Sequence, residues 1–128
     1  MNKPPAKISE SEWLVASVVW DQDGLAAGEI AERLAGRADW KLKTVNTFLT
    51  RLVGKGVLRT ERDGRAFRYF TLIPRAECVQ AESASFLQRV FGGAAAPMLA
   101  HFCETTDLSD EEVARLRKIL KRKTQERK

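Results

Sequence analysis

Between Lys41 and Arg68 the chain sets Lys41, Lys43, Arg51, Lys55, Arg59, Arg62, Arg65 and Arg68 against only Glu61 and Asp63. The protein has 128 residues and a formal net charge of +5. This one stretch therefore carries more positive charge than the whole, and the rest of the chain is slightly acidic. A local excess of that kind is the electrostatic footprint of a site for a polyanion. An acidic protein surface would match the same charge; nucleic acid is favoured by what surrounds it. Other chemistry is poorly supplied. With His101 as the one histidine, no glycine-rich phosphate loop and no clustered carboxylates, there is no catalytic constellation, and no enzyme activity or cofactor is implied. Cys78 and Cys103 lie far apart without a neighbouring His or Cys at ligand spacing. That argues against a disulfide framework and a zinc site, and each reads as a buried small hydrophobe.

The charges must be positioned by regular elements, and the central one runs from Trp40 to Gly56, WKLKTVNTFLTRLVGKG. Leu42, Val45, Phe48, Leu49, Leu52 and Val53 recur at the three-and-four spacing of one buried stripe. The opposite face carries Lys43, Thr47, Thr50 and Arg51, flanked by Thr44 and Asn46, with no carboxylate. Gly56 suits a left-handed C-cap. Such a helix has two explanations: a solvated face that happens to lack Asp and Glu, or a recognition helix seated in the DNA major groove.

Around it the signals are local. Ser9 and Glu12 form a capping box, Ile8 and Trp13 a hydrophobic staple, and a helix runs to about Trp20. Asp21 to Gly24 is a turn, and Leu25-Ala26 is at most a short strand. A second helix spans roughly Ala27 to Ala35 and lacks a side-chain acceptor at its N-terminus. After Gly56 the period becomes two. Val57–Arg62 and Arg65–Leu72 read as strands joined by a two-residue turn at Asp63-Gly64. Three helices followed by a basic hairpin is a winged helix-turn-helix arrangement. The class is mainly α with a small β-hairpin.

Pro74 breaks the ribbon, which divides the chain into a DNA-binding head, 1–73, and a helical tail, 74–128. The tail reads as three helices: Arg75 to Phe91, Ala94 to Cys103, and a last one opened by Leu108 as staple, Ser109 as cap and Glu112 in the box. Its large apolar groups are many for so small a module. They either pack on the head or interleave between two chains, and the second reading is favoured because lone cores below ~70 residues are marginal. Phe86, Leu87, Val90, Phe91, Met98, Leu99, Phe102, Leu116 and Leu120 are the candidate dimerisation residues. No apolar run approaches a membrane span, and MNKPPAK lacks the apolar core of a signal peptide, so a cytoplasmic protein without direct membrane binding is expected.

Five segments in order, ISESEW, WKLKTVNTFLTRLVGKG, GRAFRYF, SFLQRVFGG and LSDEE, make the chain resemble the penicillinase and methicillin-resistance repressors, the BlaI/MecI/CopY family of bacterial winged-helix regulators. The resemblance implies a homodimeric repressor on a palindromic operator in double-stranded DNA. It places Lys43, Thr44, Thr47 and Arg51 at groove and phosphate contacts, makes Asn46 a reader of the operator, and maps the wing to Gly64-Arg65. Three departures stand out. Ala26 and Ala27 replace the usual Thr or Asn cap of the second helix. The tail has no Cys-x-Cys pair, which argues against copper sensing. The β-lactam branch is induced by cleavage at an Asn-Phe bond in the tail; here the aligned pair is His101-Phe102, which leaves open proteolytic induction by a membrane sensor-protease. Otherwise His101 reads as an exposed helix residue.

The leading expectation is a sequence-specific DNA-binding repressor. Lys55, Arg59, Arg62 and Arg65 supply phosphate contacts, and Lys43, Thr44, Asn46 and Thr47 reach base edges. The competing readings are a winged-helix module that docks proteins and a ligand-responsive regulator without a sensor protease. A protein-docking helix would expose apolar anchors where this one has Lys, Thr and Arg.

Overall fold

Ser9 sits in extended backbone, and its hydroxyl accepts the Glu12 N–H at 3.1 Å while the Glu12 carboxylate accepts the Ser9 N–H at 2.8 Å. This reciprocal pair satisfies two backbone donors and starts α1, Glu10–Asp21. A computed structural model describes residues 7–126. The segment read as lacking a leader's apolar core falls largely in residues 1–6, outside the described residues.

After α1 come β1 (Leu25–Ala26), α2 (Ala27–Leu34), α3 (Leu42–Gly54), β2 (Leu58–Asp63), β3 (Ala66–Thr71), α4 (Arg75–Phe91), α5 (Ala95–Thr105) and α6 (Asp110–Glu126). The three strands form one antiparallel sheet in the order β1-β3-β2. The expected class is therefore the observed one: a helical protein with a winged helix-turn-helix head. The chain divides into two compact units, Met1–Ser85 and Phe86–Lys128.

The first unit closes a core. Val15, Ala16, Val18 and Val19 of α1, Ile30 and Leu34 of α2, and Val45, Leu49 and Leu52 of α3 are buried together with Leu25, Val57, Leu58 and Tyr69. Trp13 and Trp20, one side of α1 as expected, meet edge to face at 5.2 Å and are half-buried. The stripe of α3 is shorter than the sequence pattern. Leu42 is 49% exposed, because it stands at the first position of the helix, one turn beyond the core. Glycine ends α3: Gly56 has φ +76, its N–H bonds Val53 O at 3.0 Å, and Val57 N–H bonds Leu52 O at 3.0 Å. This is a Schellman motif, with Val57 and Leu52 both buried.

At the tip of the hairpin the last paired residues are Asp63 and Ala66, so the turn is Gly64-Arg65, one residue later than expected. Gly64 has φ +65, and no non-glycine among the described residues has positive φ. Glycine at the first central position is the requirement of a type II′ turn, whose twist matches the flanking strands. At α2 no side chain caps the N-terminus, yet the Glu29 carboxylate accepts the Ala26 N–H at 3.0 Å. Half of a capping box replaces the missing Thr or Asn.

The second unit is three helical pieces with little interior. Among the described residues of α5 and α6 none is buried. Ser109 and Glu112 form the expected box at the start of α6, with bonds of 3.0 and 3.1 Å. No described helix is long and apolar enough to cross a membrane.

Candidate nucleic-acid interface

Helical spacing puts Lys43, Asn46, Thr47 and Thr50 on one strip of α3, with Arg51 beside it. All five are exposed, and Thr44 is half-buried at the strip's edge. Thr47 Oγ1 donates to Lys43 O at 3.1 Å and Thr50 Oγ1 to Asn46 O at 2.9 Å. Each hydroxyl proton is thus spent inside the helix, and what faces outward is a methyl group and oxygen lone pairs. Arg51 lies 5.8 Å over the Phe48 ring, which restrains it alongside the strip. Phe48 is in turn held at 4.9 Å by Trp40 from the connection before α3.

The register of the hairpin sorts its charges by face. Residues two apart share a face, so Leu58, Thr60 and Arg62 of β2 lie with Phe67 and Tyr69 of β3. Thr60, Phe67 and Tyr69 line a shallow pocket of about 200 Å³ with Thr50 and Val53 of α3. The Arg62 guanidinium lies 5.7 Å over the Phe67 ring, and its Nε donates to Gly64 O at 3.1 Å. This face therefore adjoins the exposed strip of α3. Arg65 is exposed at the tip.

The other face holds Arg59, Glu61, Asp63, Arg68 and Phe70, and there the charges pair off. Arg59 is 3.5 Å from Glu61 and stacks 4.6 Å over Phe70. Arg68 Nε donates to Asp63 at 2.7 Å. Arg59 was expected with Arg62 among the phosphate contacts, but strand alternation puts the two on opposite faces.

Lys55 departs further from expectation. Its ammonium donates to the Glu12 carboxylate at 2.5 Å and to Lys7 O at 2.6 Å. The Glu12 side chain is 2% exposed. Burial pushes the Glu12 carboxyl up, but the Lys55 hydrogen bond, the Ser9 N–H and the Lys55 charge together hold it below the ordinary carboxylate value. Lys55 thus fastens the C-terminal end of α3 to the start of α1. The sequence marks Glu12 only as a capping-box residue, and it is the packed helices that bring the lysine to its Oε1, the oxygen that also accepts the Ser9 N–H. Of the cationic stretch, Lys55, Arg59 and Arg68 are matched by carboxylates. Lys41, Lys43, Arg51, Arg62 and Arg65 remain on the helix face and wing tip.

In the second unit, taken by itself, Phe86, Leu87, Phe91, Met98 and Leu116 are half-buried, while Val90, Leu99, Phe102 and Leu120 are 55%, 42%, 43% and 55% exposed. Leu99, Phe102, Leu116, Ile119 and Leu120 line an apolar groove of about 380 Å³ between α5 and α6. Cys78 is buried, as expected; Cys103 is not, and lies on that groove. Its helix has no interior on which to bury it. His101 and Phe102 are both exposed within α5.

The sequence profile of a family described as penicillinase repressor matches residues 8–122. The methicillin resistance regulatory protein MecI of Mammaliicoccus sciuri is 32% identical over 123 residues, covering 96% of this chain and all of MecI. The penicillinase repressor of Bacillus licheniformis is 35% identical over 120 residues, 94% of this chain and 93% of that one. Among solved structures, the DNA binding domain of the repressor BlaI superposes with a TM-score of 0.52 at 34% identity. The monomeric form of Bacillus licheniformis BlaI in complex with the blaP half-operator gives 0.50 at 34%. Each covers 60% of this chain and 93% of its own.

Proposed function

Because the chain belongs to the penicillinase repressor family, we propose that it is a transcriptional repressor that holds operator DNA with α3 and the wing and acts as a homodimer through its second unit. The observation that carries this reading is the exposed strip Lys43, Asn46, Thr47, Thr50, free of carboxylates and flanked by Arg51 and by the Arg62 face of the hairpin. In a major groove, Lys43 would donate to guanine and Asn46 would pair with adenine, while Thr44 and Thr47 reach base edges. Arg51, Arg62 and Arg65 would neutralise phosphates and make affinity salt-dependent. Arg59 and Lys55, engaged elsewhere, contribute less; Lys55 acts by fixing where α3 points.

Two copies joined by the tail would read a palindrome with half-sites spaced by whole helical turns of about 10–10.5 bp. The exposed Leu99, Phe102 and Leu120 and the half-covered Phe86, Leu87, Phe91, Met98 and Leu116, with Val90, are the surface for that contact. Induction by a sensor protease at His101-Phe102 would need α5 to open first, since the bond lies inside a helix. A gel shift on the DNA upstream of the protein's own gene, at two salt concentrations and against a scrambled duplex, tests the reading. Selective, salt-sensitive retardation is expected; equal binding to both duplexes would overturn sequence-specific repression, and no retardation of either would favour a protein-docking module.

A further inference from the structure

We propose that Arg68 is a positioning residue, a strut that fixes the angle of the wing to the body of the head; the inference rests on the DNA-binding reading above. The sheet changes character at this residue. β1 pairs only with Tyr69 and Arg68 of β3, through Leu25 and Ala26. Beyond Arg68 the ribbon, from Arg62 to Phe67, has two strands and no third. A bare two-stranded ribbon is marginally stable and bends freely. The glycine-led turn at its tip adds no restraint from packing.

Arg68 spans this hinge. On the wing side its Nε donates to Asp63 at 2.7 Å, the last paired residue of β2. On the body side an Nη nitrogen donates to Gly24 O at 2.7 Å and lies 3.8 Å from the Glu29 carboxylate. Both body-side anchors are themselves held. Gly24 N–H bonds Tyr69 O at 2.8 Å, and Glu29 accepts the Ala26 N–H at the start of α2. A planar guanidinium with several donors can satisfy acceptors on both sides of a hinge; an ammonium on a flexible stem does so poorly. The strut therefore keeps Arg62 and Arg65 at a set distance from the α3 strip.

Three variants of the full chain separate this from the simpler idea that Arg68 is another phosphate contact. Binding to a duplex from the upstream region is titrated at several salt concentrations. Arg68→Ala should weaken binding about tenfold and reduce the salt slope by about two, because the contacts of both Arg62 and Arg65 are loosened. Arg68→Lys keeps the charge and should not restore affinity. Asp63→Ala gives opposite signs: removing a wing carboxylate tightens binding if only charge matters, and loosens it if the strut matters. Loosening is expected. Tighter binding by Asp63→Ala, or full affinity in Arg68→Lys, overturns the strut. Hydrogen exchange on the DNA-free protein gives a readout that survives even if the wild type does not bind DNA. Arg68→Ala should speed exchange at Arg62–Phe67 while α1 and α3 stay protected; unchanged wing protection would also overturn it.

Discussion

The two units of this chain solve the same problem differently. In the first, α1, α2, α3 and the sheet each turn an apolar face to a shared centre. Every buried apolar residue among those described lies between Ile8 and Cys78. In the second, the same kinds of side chain are present on α5 and α6, but none is buried. The difference is one of layers. Three helices and a sheet enclose side chains from several directions, whereas α5 and α6 leave their apolar faces open as a groove. An element can be regular, capped and amphipathic and still lack an interior, and a partner is then the physical remedy.

The largest effects should come from testing each half of that contrast. Phe102→Asp puts a charge into the open groove. If the tail joins two copies, sedimentation should show a monomer, and affinity for a palindromic operator should fall about 10³-fold as the second half-site becomes a separate binding event. A dimer that survives the substitution would place the contact elsewhere. In the first unit, Glu12→Ala removes the carboxylate that Lys55 and the Ser9 N–H share. A loss of about 3 kcal/mol in urea unfolding is expected, at the low end for a broken buried pair because Lys55 is partly exposed. The pH dependence follows. The folded Glu12 carboxyl titrates below its unfolded value, so its contribution is fully present above about pH 4.3 and is lost as pH falls through the lower folded value. Glu12→Ala should flatten the acid limb of the stability profile; an unchanged limb would show that other carboxylates dominate.

Local chemistry was legible in the sequence wherever a few neighbours decide the outcome. Ser9–Glu12, Ser109–Glu112 and Gly56 were all readable, because a cap is built from residues three or four apart. The α3 stripe was readable from its period, except at Leu42, where the pattern continued past the end of the core. Strand alternation was also visible, but its consequence for Arg59 and Arg62 needed the register. Contacts far apart in sequence stayed hidden: Lys55 to Glu12 across 43 residues and Arg68 to Gly24 across 44. Both took a cation counted as available charge and committed it to structure. The charge excess thus overstates how much of that charge is left without a carboxylate partner.

In the first unit the buried scaffold meets the exposed strip at the hairpin, whose two faces should differ in their effect on DNA binding. Arg62→Ala should lower affinity for all sequences and reduce the salt slope by about 0.9, one phosphate's share. Arg59→Ala, on the paired face, should change the slope by less than half of that. Equal effects would mean that the wing enters the DNA from both faces.

The smallest expected effect, and the most specific, is at Thr47. Its hydroxyl proton is held by Lys43 O, so to a base edge it would offer only an acceptor and a methyl group. Such a group can accept from the amino groups of adenine or cytosine, or pack against the methyl of thymine. Thr47→Val keeps the methyl shape and removes the lone pairs; Thr47→Ser does the reverse. Selection of binding sites from a randomised pool should show one of the two variants losing about 1 kcal/mol of discrimination at one base pair. Loss in Val alone assigns an amino donor at that position, and loss in Ser alone assigns a thymine methyl. If neither variant shifts the selected sequence, Thr47 is part of the scaffold's outer surface and the reading residues are confined to Lys43, Thr44 and Asn46.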